Sequence, residues 1–128
     1  MINQATLLAR NNRPNDAEPI FQRALESFED AGDLRGQAIV LGNLADLYRI
    51  QGDLAKSIEY FNASIRIREK IGDMRGISLN ANRLAHALMD AGRYNESIRA
   101  AERSADIARQ RGFLDFEMAA VDQLKKVH

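Results

Sequence analysis

The sequence predicts an all-α protein built as an α-solenoid, a stack of antiparallel helix pairs. The first observation is a repeated line: Gly32-Asp33-Leu34-Arg35-Gly36 returns as Gly72-Asp73-Met74-Arg75-Gly76, and glycine occupies positions 32, 72 and 112, which are 40 residues apart. The second is that apolar residues between these glycines are spaced by three and four positions, as on one face of a helix. Helix pairs that repeat at a fixed period stack and share one continuous core.

The same pattern predicts seven helices, at approximately Ile2–Arg10, Asn15–Ala31, Leu34–Gln51, Ala55–Ile71, Met74–Ala91, Asn95–Gln110 and Leu114–Val127. Gly-Asp pairs at 32–33, 52–53 and 72–73 separate them. Glycine tolerates the left-handed conformation at a helix end, and aspartate caps the helix that follows. At the second helix we expect Asn15 to be the cap and Glu18 its capping-box partner, with Pro19 just inside the helix.

One domain is expected to span residues 1–128. It divides into a trimmed helix pair at 1–31, full repeats at 32–71 and 72–111, and a single helix at 112–128. The chain begins and ends out of phase with the repeat, so this helix either caps the solenoid or was cut from a longer array. A cut would expose an apolar edge and favour self-association.

The repeated residues resemble the tetratricopeptide repeat. One copy contains Leu41, Leu44, Ala45, Tyr48, Gly52, Ser57, Phe61 and Ser64, and the next contains Ala81, Leu84, Ala85, Leu88, Gly92, Tyr94, Ser97, Ala101 and Ser104. Small residues at Ala45, Ala85, Ser57 and Ser97 suit the closest approach of paired helices. The 40-residue period exceeds the usual length of about 34 residues. It resembles the repeats of LGN-type polarity adaptors, kinesin light chains and bacterial signalling proteins, and implies a right-handed solenoid.

Composition excludes several function classes. The 128 residues are 45% hydrophobic and 28% charged, which is typical of one globular domain. Eighteen Lys and Arg balance eighteen Asp and Glu, so no positive field attracts nucleic acid or an anionic membrane. The chain has no cysteine for disulfides or a Cys-ligated zinc site, and no apolar run long enough to span a membrane. We therefore expect a cytoplasmic protein without nucleic-acid or membrane partners.

Few residues could support catalysis, and neither an enzyme nor a cofactor is predicted. There is no cysteine nucleophile, Gly-rich phosphate loop or His-Glu-x-x-His motif. His86 and Asp90 lie four apart on one helix, with Asp46 one repeat earlier, as in the beginning of a metal-assisted hydrolase site. A solvated polar face with an ordinary i,i+4 pair explains them better.

The resemblance implies that the first helix of each pair lines a concave groove. Transferred position by position, the groove residues are Asn3, Thr6, Ile39, Asn43, Asp46, Arg49, Leu79, Asn82, Arg83, His86, Asp90, Asp122 and Gln123, with Ile2, Gly42, Ile50, Met89 and Lys126 beside them. Asn3, Asn43, Arg83 and Gln123 form a row of equivalent positions. Amides in such a row can bond a peptide backbone, and the arginine can hold a carboxylate. The alternative is that they are ordinary solvated residues.

These observations favour a non-enzymatic scaffold or adaptor whose groove binds an extended or helical peptide segment with an apolar anchor and one or two acidic residues. Asn43 and Arg83 match two residues of the carboxylate clamp that holds chaperone tails in related repeats. Ile2, Leu79 and Thr6 replace the other three, so a chaperone tail is not predicted. The alternative is a self-associating structural or regulatory segment of a larger signalling protein, which would form homo-oligomers through exposed end helices.

Overall fold

The computed structural model describes residues 14–111, which form five α-helices. They are α1 (Pro14–Ala31), α2 (Leu34–Gln51), α3 (Leu54–Lys70), α4 (Met74–Asp90) and α5 (Tyr94–Arg111), and no strand occurs between residues 14 and 111. Their bounds agree within one residue with the helices predicted for this stretch. The predicted helices Ile2–Arg10 and Leu114–Val127 lie outside the described residues.

The same tight turn joins each helix to the next. Gly32, Gly52, Gly72 and Gly92 all have left-handed φ angles, between 68° and 84°. At the first turn the N–H of Asp33 donates to the carbonyl of Phe28 at 2.9 Å, and the N–H of Gly32 donates to that of Glu29 at 3.1 Å. This is the Schellman arrangement, which satisfies the last carbonyls of a helix. The predicted helix ends at these glycines are confirmed.

Aspartates cap the N-termini of three of the helices, α2, α3 and α4. The carboxylates of Asp33, Asp53 and Asp73 accept hydrogen bonds from the N–H groups three residues later, at 2.9, 3.2 and 3.0 Å. The prediction for α1 needs correction, because Asn15 lies within the helix rather than at its cap. The Glu18 carboxylate accepts a hydrogen bond from the Tyr48 hydroxyl at 3.0 Å, so Glu18 fastens α1 to α2.

The core forms two clusters of buried apolar side chains along the stack. The first joins α1 and α2 and contains Ala17, Ile20, Phe21, Ala24, Val40, Leu44, Leu47 and Tyr48. The second extends from α2 to α5 and contains Ala45, Ile58, Phe61, Ile65, Ile77, Leu84, Ala87, Leu88 and Ile107. The predicted close approach of paired helices is confirmed between α4 and α5, where the Ser97 hydroxyl donates to the Ala85 carbonyl at 2.7 Å.

Buried hydroxyl groups connect the helices inside this core. Ser64 of α3 donates to the Ala38 carbonyl of α2 at 2.7 Å, and Ser104 of α5 makes the equivalent bond to Ser78 of α4, also at 2.7 Å. Asn80 of α4 donates to the Ser64 hydroxyl at 2.6 Å. A continuous chain of hydrogen bonds therefore links α2, α3 and α4, and it satisfies polar groups that burial would otherwise destabilise.

A cluster of charges lies at the turn between α3 and α4. The Arg68 guanidinium donates to the Asp73 carboxylate, and only 11% of each side chain is exposed. Arg35 of α2 lies 3.7 Å from the same carboxylate. Burial alone would raise the pKa of Asp73, but the Gly76 N–H and the two guanidinium groups outweigh burial and hold the pKa below its usual value.

A carboxyl group with a lowered pKa stabilises the folded chain above its unfolded pKa, and this contribution is lost as the pH falls through the folded pKa. We therefore expect Asp73→Asn to lower the free energy of unfolding at neutral pH by about 1–3 kcal/mol, because asparagine keeps one acceptor oxygen for the Gly76 N–H and presents an NH2 group, which cannot accept, to the Arg68 guanidinium. The deficit should shrink below about pH 4, near the ordinary pKa of aspartate. Urea titrations across this pH range measure it.

Asp53→Asn is the matched control, since asparagine and aspartate cap helices almost equally well. It should change the free energy of unfolding little at any pH. If Asp73→Asn and Asp53→Asn gave the same pH profile, the Arg68–Asp73 pair would contribute nothing to stability.

Candidate functional site

The first helices of the two pairs, α2 and α4, lie side by side on one side of the stack, which we call the inner face. Their backbones approach each other directly, while those of α3 and α5 lie farther apart. Long side chains bridge α3 and α5, where Arg103 meets Glu69 at 2.7 Å. The stack is therefore more closely spaced on the α2 and α4 side, where the sequence predicts a groove.

Every predicted groove residue within the described stretch has some exposure to solvent. Ile39 is 41% exposed, Asp90 is also exposed, and the remainder are half-buried: Asn43, Asp46, Arg49, Leu79, Asn82, Arg83 and His86. Of the neighbouring positions, Ile50 is exposed and Met89 half-buried. The prediction that Gly42 lines the groove is wrong, because Gly42 is buried. A methyl group added there would lie 3.4 Å from the Asn80 side-chain oxygen. The positions predicted at Ile2, Asn3, Thr6, Asp122, Gln123 and Lys126 lie outside the described residues.

Two ion pairs cross the inner face from α2 to α4. Arg83 Nη1 lies 3.3 Å from Asp46 Oδ2, and Arg49 Nε lies 2.7 Å from Asp90 Oδ2. The sequence predicts Arg83 as a holder of a ligand carboxylate, and the structure places an internal carboxylate beside it. Sequence reasoning missed these pairs. Comparing charges on consecutive first helices could have found them, because each pair joins opposite charges on α2 and α4.

Two basic neighbours stabilise the charged form of the Asp46 carboxylate. Burial raises the pKa of Asp46, and the guanidinium groups of Arg83 and Arg49 offset only part of this effect. A ligand carboxylate that drew Arg83 away would therefore leave Asp46 with less compensation for its charge.

The residues considered for a metal site are held in a different arrangement. Asp90 pairs with Arg49 across the inner face, while Asp46 pairs with Arg83. Between residues 14 and 111 no group of three or more His, Asp or Glu side chains is placed to hold a metal ion. In the same range, no helix has both the length and the apolar character needed to cross a bilayer.

Comparison with known proteins identifies relatives of this architecture. Two family models described as tetratricopeptide repeat match the chain, over residues 1–70 and 81–111. A comparison with curated proteins gave no match.

Two solved structures contain nearly identical TPR-like repeats assigned to a Podosopora anserina kinesin light chain. The first is 15% identical, with a TM-score of 0.75, and the alignment covers 98% of this chain and 71% of that one. The second is a variant of the same protein with one glutamine replaced by methionine, and it is 17% identical, with a TM-score of 0.75 and coverage of 98% and 70%. At these identities the likeness concerns the fold.

Proposed function

Since this chain belongs to the tetratricopeptide repeat family, whose arrays are protein-interaction scaffolds, we propose that it binds a peptide segment of a partner protein along the inner face formed by α2 and α4. One observation carries the proposal. Ile39 is an apolar side chain that is 41% exposed, whereas Leu44, Ala45 and Tyr48 of the repeat signature on α2 are buried. Ile39 is thus available to a ligand and does not take part in the core.

The chemistry around Ile39 suits a peptide segment with an apolar anchor. Leu79 occupies the equivalent position on α4 and is half-buried. Asn43 lies one turn after Ile39 on α2, and an amide side chain can both donate to and accept from a peptide backbone. The side-chain oxygen of Asn82 on α4 is buried, so Asn82 cannot accept from a ligand in this way. Because folded helices hold these groups in place, binding orders little of the scaffold.

The two ion pairs make an acidic ligand residue less important for binding than the sequence predicts. Arg49 and Arg83 already have carboxylate partners in Asp90 and Asp46, so an acidic residue of a ligand would have to compete with them. A segment anchored by an apolar side chain and by backbone hydrogen bonds avoids this competition. We accordingly propose that apolar and backbone contacts provide most of the affinity, and that the protein acts by binding and not by catalysis.

Affinity capture with a matched pair of variants tests this function. Ile39→Glu with Asn43→Ala changes the inner face without touching either ion pair between α2 and α4. Asn62→Ala with Arg66→Glu also introduces one alanine and one glutamate, but on α3, away from that face. We expect partners to be retained by the parent and by the α3 variant, and at least tenfold less protein to be captured by the inner-face variant.

A partner found in this way is then tested directly with a synthetic peptide of its binding segment, by fluorescence anisotropy. Circular dichroism establishes that both variants remain helical. Equal binding of one peptide by the parent and the inner-face variant would contradict the groove assignment, as would loss of binding in the α3 variant alone.

A further inference from the structure

Four charged side chains form a cross-link between α2 and α4, which we call the inner-face ladder: Asp46 and Arg49 on α2, and Arg83 and Asp90 on α4. The Asp46–Arg83 distance is 3.3 Å and the Arg49–Asp90 distance is 2.7 Å. The four side chains are between 37% and 41% exposed, so water and salt reach them while the protein still limits their motion.

The inner-face ladder is not part of the repeated pattern. One repeat away, Asp46 corresponds to His86, Arg49 to Met89, Arg83 to Asn43, and Asp90 to Ile50. The buried residues that hold the helix pairs together do recur, as Leu44 and Leu84 show. Because the fold is built from the recurring residues, the stacking of helices does not require these four charges.

The inner-face ladder is placed where it can influence the distance between α2 and α4. Both helices pack extensively on α3, but they meet each other much less. Close to α3 the spacing is fixed by buried contacts, including the bond from Asn80 to Ser64 and that from Ser64 to Ala38. Direct contacts between α2 and α4 are sparse, and the two ion pairs are among the interactions that join these helices.

We propose that the inner-face ladder is an electrostatic latch that sets the separation of α2 and α4, and so the width of the inner face, in a salt-dependent way. Half-exposed ion pairs are screened by dissolved salt, whereas buried apolar contacts are not weakened in this way. At low ionic strength the two helix pairs are held at one separation. At high ionic strength they pivot about α3 over a wider range. The salt-dependent separation of α2 and α4 is proposed for the unliganded chain, and so this proposal does not depend on the proposed peptide binding.

Distance measurements between spin labels test the latch without any ligand. The chain has no cysteine, so Glu26→Cys on α1 and Glu102→Cys on α5 provide two unique, exposed labelling sites on opposite sides of the ladder. Double electron–electron resonance then gives the distribution of distances between the labels. For the parent we expect a narrow distribution at low salt, and a broader one with a longer mean at about 1 M salt, where the screening length is about 3 Å.

Three variants establish the cause of the change. A neutral ladder, with Asp46→Asn, Arg49→Gln, Arg83→Gln and Asp90→Asn, should give the broad distribution at both salt concentrations. A swapped ladder, with Asp46→Arg, Arg49→Asp, Arg83→Asp and Asp90→Arg, should regain the salt response of the parent. Arg93→Gln with Glu96→Gln removes an ion pair at the beginning of α5 and should behave as the parent does.

The proposal is overturned if the neutral ladder, still helical by circular dichroism, gives the same narrow distribution as the parent at low salt. It is also overturned if the neutral ladder broadens with salt as much as the parent does, because salt would then act elsewhere. Should the neutral ladder not fold, the swapped ladder decides, and loss of its salt response would refute the latch.

Discussion

Phe61→Ala should lower the free energy of unfolding by about 3–5 kcal/mol, the usual cost of removing a buried aromatic ring. The Phe61 side chain has no solvent exposure and lies in the core cluster that extends from α2 to α5. Truncation leaves a cavity in the core beside α3, the helix on which both α2 and α4 pack. Total stabilities of natural domains are about 5–15 kcal/mol, so this change removes a large fraction. Urea unfolding followed by circular dichroism measures it.

Tyr94→Ala is the aromatic control for this experiment. Tyr94 is 58% exposed at the start of α5, and truncation there should change the free energy of unfolding by less than about 0.5 kcal/mol. Equal losses in the two variants would contradict the assignment of the core to the faces shared by α2, α3 and α4.

Gly36→Ala should destabilise the chain by about 1–3 kcal/mol, although alanine normally favours a helix. A methyl group at this position of α2 would overlap the ring of Phe28, which is packed at the edge of the first core cluster. Either the ring or the turn between α1 and α2 must move. Chemical denaturation of the purified variant measures the loss.

Gly42 lies in the same helix and provides the matched control. A methyl group at Gly42 would lie 3.4 Å from the Asn80 side-chain oxygen, which is close to an ordinary contact. Gly42→Ala also gains helix propensity of about 0.5–1 kcal/mol, so the variant should be at least as stable as the parent. If Gly42→Ala were the more damaging of the two changes, the packing described around α2 would be wrong.

These glycines show where the sequence is informative and where it is not. The first glycine of each repeated line, Gly32 or Gly72, is predictable because a helix end requires a left-handed residue. The second glycine, Gly36 or Gly76, has a tertiary cause. It lies against a side chain of the preceding helix, Phe28 in one copy and Arg68 in the other. Periodicity and turn chemistry are local properties, and contacts of this kind are not.

The same distinction applies to the candidate site. The resemblance to a known repeat led to the prediction that Ile39 lies on an exposed side of α2, and the side chain is 41% exposed. The partners of Arg83 and Arg49 depend on where α4 lies relative to α2, and the sequence gives charges but no distances. Likewise, Glu18 has the correct spacing for a capping box, but its observed bond is to Tyr48, 30 residues away.

Site-specific photo-crosslinking tests the central claim, that partners bind the inner face, most directly. A benzophenone amino acid replaces Ile39 on the inner face in one protein and Arg66, an exposed residue of α3, in another. Each is irradiated with a partner that the parent chain binds, and the linked peptides are identified by mass spectrometry. Our account predicts that Ile39 crosslinks to one continuous segment of the partner and that Arg66 does not. Crosslinks from Arg66 without any from Ile39 would contradict it.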